Sequence, residues 1–201
     1  MLKSFLLFFF VSITVILNAQ TIRFNKRSIK DGLTQSSILT LLEDEKGFIW
    51  AGTQDGLNRY DGYHFKTFKN RIDDKNSLSN SFINTIKQDK NSYQIWIGTQ
   101  NGGLNRFDPK SSTFYTFPKD NILSKIDVQQ LAIDNNGSVW FTTQNNGLFH
   151  YWPSNEKLEK YNTSNGFPFN KLNQIFIKGD DIWIEIGRHT SELQSRGHLV
   201  C

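Results

Sequence analysis

Along residues 32–187, short apolar bursts of four to seven residues alternate with clusters of Asp, Asn, Gly and Pro. That rhythm predicts short antiparallel strands closed by hairpins, since helical periodicity cannot survive a turn signal every ten residues or so. Around Trp96 the first strand is expected at about Phe82–Gln88, the second at Ile95–Thr99, the third at Leu104–Phe107 and the fourth at Thr113–Phe117. An Asp-led turn stands between strands one and two: Asp44 to Gly47, Asp89 to Tyr93, and Asp134 to Gly137. Asp can bond the backbone two residues on, and Gly takes the positive φ that closes a tight hairpin. The Asp89 turn lacks the Gly and holds one extra residue, which predicts a longer, looser loop. Asp55-Gly56, Asn101-Gly102-Gly103 and Asn145-Asn146-Gly147 are the next hairpins.

The four-strand unit recurs. Trp50, Trp96, Trp140 and Trp183 are spaced 46, 44 and 43 residues apart, and Leu57, Leu104 and Leu148 follow in step. Phe68, Phe117 and Tyr161 close the first three copies. Four antiparallel strands per unit of this length predict an all-β fold, a partial β-propeller of three full four-stranded blades plus the start of a fourth. The blades are expected at about 32–70, 77–120, 122–164 and, incomplete, 166–187. A propeller ring takes roughly four to eight blades, so three and a fraction should not close. The terminal sheets are then expected to expose unpaired edges and apolar faces, and the isolated chain to be poorly soluble or to aggregate.

The ends differ from the repeats. Lys3, an apolar run from Phe5 to Leu17 and the small residue Ala19 have the build of a secretory signal peptide over 1–19, cut near Ala19. An uncleaved N-terminal anchor is the competing reading, because the apolar run is borderline in length for a span. The segment 188–201 carries no repeat character and is read as a non-native tail, with a natural polar tail as the alternative. Cys201 is the sole cysteine, so the fold has no internal disulfide. Without leader and tail, 20 basic residues face 18 acidic ones, with no basic cluster, which argues against nucleic acid as a partner.

Two stretches carry a resemblance. GLTQSSILTLLEDEKGFIWAGTQDGLNRYDG and SLSNSFINTIKQDKNSYQIWIGTQNGGLNRFD resemble the two-component regulator propeller repeat. Its pattern is a Leu-Ser/Thr lead-in, an apolar strand, an Asp turn, Ile-Trp-Ile-Gly-Thr and Gly-Leu-Asn-Arg-Tyr/Phe-Asp. The third copy departs from it, with Phe141-Thr142-Thr143 and Phe149-His150-Tyr151. The resemblance implies the periplasmic sensor region of a hybrid two-component system. It implies a small-molecule or oligosaccharide ligand, homodimeric full-length proteins, and membrane and kinase parts that follow a region like this one and are absent here.

Of chemistry the residues offer little. No phosphate loop or zinc spacing is present: His64, His150, His189 and His198 are scattered. Neither catalytic residues nor a cofactor is expected. Asp44, Asp89 and Asp134 recur at one position, which is what turn geometry produces, whereas a catalytic pair needs two unlike environments. The recurring tryptophans are read as packing between blades, and Asn58-Arg59 and Asn105-Arg106 as scaffolding. Trp152 breaks the repeat, at a strand end before Pro153, and is the one weak ligand-contact candidate; packing at a loop rim is its plainer reading. Three functions compete: ligand sensor, interaction scaffold, and a propeller lyase or glycosidase, which would need non-repeating acid, base or metal residues.

Overall fold

The structure is a computed structural model that describes residues 24–117, 125–186 and the backbone of 197–200. The expected leader, the junction of the second and third blades at 118–124 and most of the tail lie outside the described residues. Each of the first three sheets is an antiparallel meander of four strands in sequence order. The first holds β1 (Ile38–Glu43), β2 (Ile49–Thr53), β3 (Gly56–Tyr60) and β4 (Phe65–Phe68). The second holds β5 (Ile83–Gln88), β6 (Ile95–Thr99), β7 (Gly103–Asp108) and β8 (Thr113–Phe117). The third holds β9 (Val128–Ile133), β10 (Val139–Thr143), β11 (Leu148–Trp152) and β12 (Lys157–Tyr161). The fourth joins β13 (Gln174–Lys178) and β14 (Asp181–Glu185) to β15 (Gly197–Val200). The first strands pack side by side, β1 on β5, β5 on β9 and β9 on β13. This is the blade arrangement of a β-propeller.

The cores lie between the sheets, because a blade has two apolar faces and cannot bury either alone. Trp50 and Leu57 of the first sheet pack with Ile83, Ile86, Ile95, Ile97, Phe107 and Phe114 of the second. Trp96 and Leu104 do the same with Val128, Leu131, Val139, Phe141 and Tyr151. Trp140 and Leu148 meet Leu172, Ile175, Ile182 and Ile184. Each interface joins the tryptophan face of one sheet to the branched-aliphatic face of the next. The rings touch directly: Trp50 lies 5.1 Å from Phe107 and Trp96 5.9 Å from Tyr151, centroid to centroid.

The glycine of the Gly-Thr step has a packing reason. A Cβ on Gly52 would stand 2.6 Å from Ile83 Cγ2, and one on Gly98 2.5 Å from Val128 Cγ1. The inner strand of the next blade therefore presses on bare backbone. In the third blade Thr142 occupies this place, fully buried, and its hydroxyl donates to the Asn173 carbonyl at 3.2 Å.

One expectation needs correction. The Asp89 turn is longer but not looser: the Asp89 carboxylate accepts from the amides of Asn91 and Ser92 and from the Ser92 hydroxyl. Tyr93 takes the positive φ, 63°, where Gly47 and Gly137 both have 79°. The side-chain bonds hold a conformation that a residue with a Cβ rarely adopts. The tail also enters the fold, since Gly197–Val200 pairs antiparallel with β14 from Ile184↔Gly197 to Asp181↔Val200. An open strand edge presents backbone groups that an extended segment can satisfy, with or without repeat character.

Candidate functional site: the divergent third blade

In the first two blades, polar side chains lock the strands to their turns and lead-ins. Asp44 Oδ1 accepts from the amides of Lys46 and Phe48, and Oδ2 accepts from Trp50 Nε1 at 2.7 Å. Asn58 Oδ1 accepts from the Thr34 amide, and its Nδ2 donates to the Ala51 carbonyl. Asn105 holds Ser79 in the same way through the Ser79 amide and hydroxyl. Asp and Asn are thus bound into their own blade. Opposite each tryptophan lies an arginine, Trp50↔Arg59 and Trp96↔Arg106. Arg59 covers Phe48 at 4.6 Å, and Arg106 covers Tyr115 and Phe117 at 4.8 and 5.1 Å. Among the described residues, Arg59 Nε and Arg106 Nε are the two buried side-chain nitrogens without a hydrogen-bond partner. Aromatic faces offset part of that desolvation.

The third blade rebuilds this position. His150 replaces the arginine opposite Trp140 and stacks on it, the ring centroids 3.5 Å apart and the planes 18° from parallel. Trp152, two residues on, packs 3.5 Å from His150, and Lys157 Nζ lies 5.1 Å from the Trp152 ring centre. Trp152 is half-buried at the end of β11. Part of its surface is covered by these contacts and part is left to solvent. Burial pushes the His150 imidazole down to about 4, against the pull of the Asp134 and Glu159 carboxylates, so the ring is neutral at pH 7.

His150 Nε2 lies 2.5 Å from Ser138 Oγ, and Ser138 Oγ donates to Asp134 Oδ2. An ionised carboxylate only accepts, so the hydroxyl proton is committed to Asp134 and His150 Nε2–H donates to the serine oxygen. A hydrolytic triad runs acid, histidine, nucleophile. Here the serine sits in the middle, its hydroxyl donating to the acid and accepting from the histidine, so the histidine is not placed as its base. The three side chains brace a turn against a strand. Asp134 also accepts from the amides of Asn136 and Ser138, both at 2.9 Å. Phe149 stands where Asn58 and Asn105 stand in their blades, so the third blade lacks the amide that ties a lead-in.

Sequence reasoning passed over His150 as one of four scattered histidines. Its signal was positional: it occupies the arginine place of the repeat. His64 lies in the Asp61 turn of the first blade, where its amide donates to Asp61. The side chains of His189 and His198 are outside the described residues. Among the described residues no three His, Cys, Asp or Glu side chains gather where a metal ion could be held.

Residues 32–55 and 77–101 match the family model described as two component regulator propeller. Both matches fall on strands one and two of a blade with the lead-in before them. Over these two stretches the chain is similar to the two-component regulator propeller repeat. A histidine kinase of Formosa agariphila, named P4, is 42% identical over 78 residues, which is 38% of this chain and 6% of that kinase. An extracellular domain from B. thetaiotaomicron, named for the hybrid two component system BT3049, superposes with a TM-score of 0.70 at 22% identity. It matches over 80% of this chain and 23% of its own length. A virginiamycin B lyase from Staphylococcus aureus superposes with a TM-score of 0.55 at 15% identity, over 74% of this chain and 48% of the lyase. At these identities the two superpositions speak to fold, which an enzyme and a signalling domain share here; function is read from sites. This chain thus spans under a quarter of the B. thetaiotaomicron domain and 6% of the kinase.

Proposed function

We propose that this chain is part of the periplasmic ligand-sensing propeller of a hybrid two-component sensor, reached by export with loss of residues 1–19. The observation that carries the reading is the paired match of its first two blades to the regulator propeller repeat, together with a stretch 42% identical to a histidine kinase. In this reading the chain performs no chemistry. A bound ligand favours one of two arrangements of a rigid ring, and a kinase elsewhere in the full-length protein reads the change. The brace Asp134–Ser138–His150 supports a non-catalytic role, because its serine proton is bound to the acid.

An oligosaccharide is the proposed ligand. Trp152 is the proposed aromatic contact, since a half-exposed indole beside a cation suits a sugar face and its hydroxyls. Glycan-array screening of the full-length periplasmic region, followed by calorimetry on any hit, tests the reading. Saturable binding of one oligosaccharide class is expected, weakened at least about tenfold by Trp152→Ala, roughly 1.4 kcal/mol. A glycan hit untouched by Trp152→Ala removes the residue and keeps the sensor. The absence of any glycan hit removes the ligand class, and hydrolysis or elimination of a glycan by the purified region overturns the reading as a whole.

A further inference from the structure

Arg106 and Tyr151 meet at the second interface, and the fold leaves the side-chain donors of both unused. Arg106 lies opposite Trp96 on β6 and Tyr115 on β8. Its guanidinium stands 4.8 Å from the Tyr115 ring centre, 5.1 Å from Phe117 and 5.8 Å from Trp96. Tyr151 of the third blade comes to two of the same rings, 5.3 Å from Phe117 and 5.9 Å from Trp96. Tyr151 is 4% exposed, and among the described residues neither its hydroxyl nor the Arg106 guanidinium has a hydrogen-bond acceptor. Aromatic faces offset part of a guanidinium's desolvation but offer it no lone pair. A buried donor without an acceptor is costly.

A third charged group lies within electrostatic reach. Burial pushes the Tyr151 phenol up, the Glu156 carboxylate adds to that rise, and the Arg106 guanidinium pulls against it. Glu156, on the β11–β12 turn at a φ of 56°, forms no ion pair with Arg106. The repeat accounts for the arginine but not for the arginine with the hydroxyl. At the first interface Arg59 lies opposite Lys66, and Phe107 stands in the Tyr151 place and has no hydroxyl. In the third blade His150 holds the arginine place and is bonded to Ser138. Scaffolding recurs from blade to blade, whereas this combination occurs once among the described interfaces.

We propose that the cleft between the second and third blades binds the carboxylate of an acidic sugar, with Arg106 as its ion partner and the Tyr151 hydroxyl donating to one of its oxygens. A planar carboxylate suits the arginine fork, which it can engage through two parallel hydrogen bonds. Tyr115, 40% exposed beside Arg106, offers the sugar ring an aromatic wall. Glu156 works against any anion, so the ligand is held by direct contact with the arginine and not by a broad positive field. That a sugar carries the carboxylate rests on the sensor reading above; the need for an anionic acceptor rests on the two donors.

Calorimetry on the full-length protein tests this with oligosaccharides of glucuronate and galacturonate, each beside its neutral methyl ester. The expected result is saturable binding of one acid, at least about tenfold tighter than its ester. Arg106→Gln should weaken that binding at least about tenfold and Tyr151→Phe about tenfold, while Arg59→Gln leaves it unchanged. Tyr151→Phe installs the residue that the first interface carries in this place, so it removes the hydroxyl and keeps the packing; circular dichroism checks the fold. An acid and ester that bind alike, wild-type affinity in Tyr151→Phe, or equal losses in Arg59→Gln and Arg106→Gln would overturn the proposal. Failure of every acidic oligosaccharide would overturn it too, and a neutral glycan bound through Trp152 in that case leaves the sensor reading standing.

Discussion

The second and third blades solve one packing problem with different polar chemistry. Both turn a tryptophan toward the following blade, Trp96 to Tyr151 and Trp140 to the Leu172–Ile175 cluster. Away from that contact they diverge: Gly98, Asn105 and Arg106 become Thr142, Phe149 and His150. The apolar contacts between sheets are the constant part of the repeat, and the polar locks within a sheet are replaceable. A blade stands only if its faces are covered, whereas a turn can be braced by several donor and acceptor sets.

Mutations can break this comparison in graded steps. Trp96→Ala empties the second interface and should cost about 3–5 kcal/mol in urea unfolding, with a similar loss for Trp140→Ala. If Trp140→Ala costs little, the third blade is not held as the second is. Gly98→Ala drives a methyl into Val128 and should cost about 1–3 kcal/mol. Thr142→Gly, the reverse change in the third blade, removes a buried hydroxyl bond and a side chain instead and should also destabilise. A gain in stability there would mean that the two blades tolerate the same residue. Asp134→Ala loses a turn bond set and should cost about 1–2 kcal/mol.

A separate effect is a pH dependence peculiar to the third blade. The folded His150 titrates near 4 against 6.5 for the free side chain, so the unfolded chain takes a proton that the fold refuses. The stability that follows from a neutral His150 is complete above about pH 6.5 and is lost as pH falls toward 4. Stability curves of wild type and His150→Phe should converge across that window as pH is lowered. Parallel curves would show that His150 is not held neutral by burial.

The fold was legible because it repeats. Strands at Ile95–Thr99 and Thr113–Phe117 fall where the hairpin signals bounded them, and the spaced tryptophans foretold the interfaces. What stayed hidden depends on register or on a distant strand. The arginine place occupied by His150 is visible only once Trp140↔His150 is paired, and the Trp50–Asp44 bond spans a turn that the sequence shows as scaffold alone. Tyr93 adopts a glycine's backbone because Asp89 gathers three donors around it, a property of the folded loop. The strand at Gly197–Val200 is owed to the open edge of β14 and to no pattern of its own.

A double-mutant cycle across the second interface is the most direct trial of indoles as the joints between sheets. Trp96→Ala, Tyr151→Ala and the pair are each unfolded in urea. A coupling of about 0.5–1.5 kcal/mol between Trp96 and Tyr151 is the predicted result. Losses that add to within about 0.3 kcal/mol would contradict it.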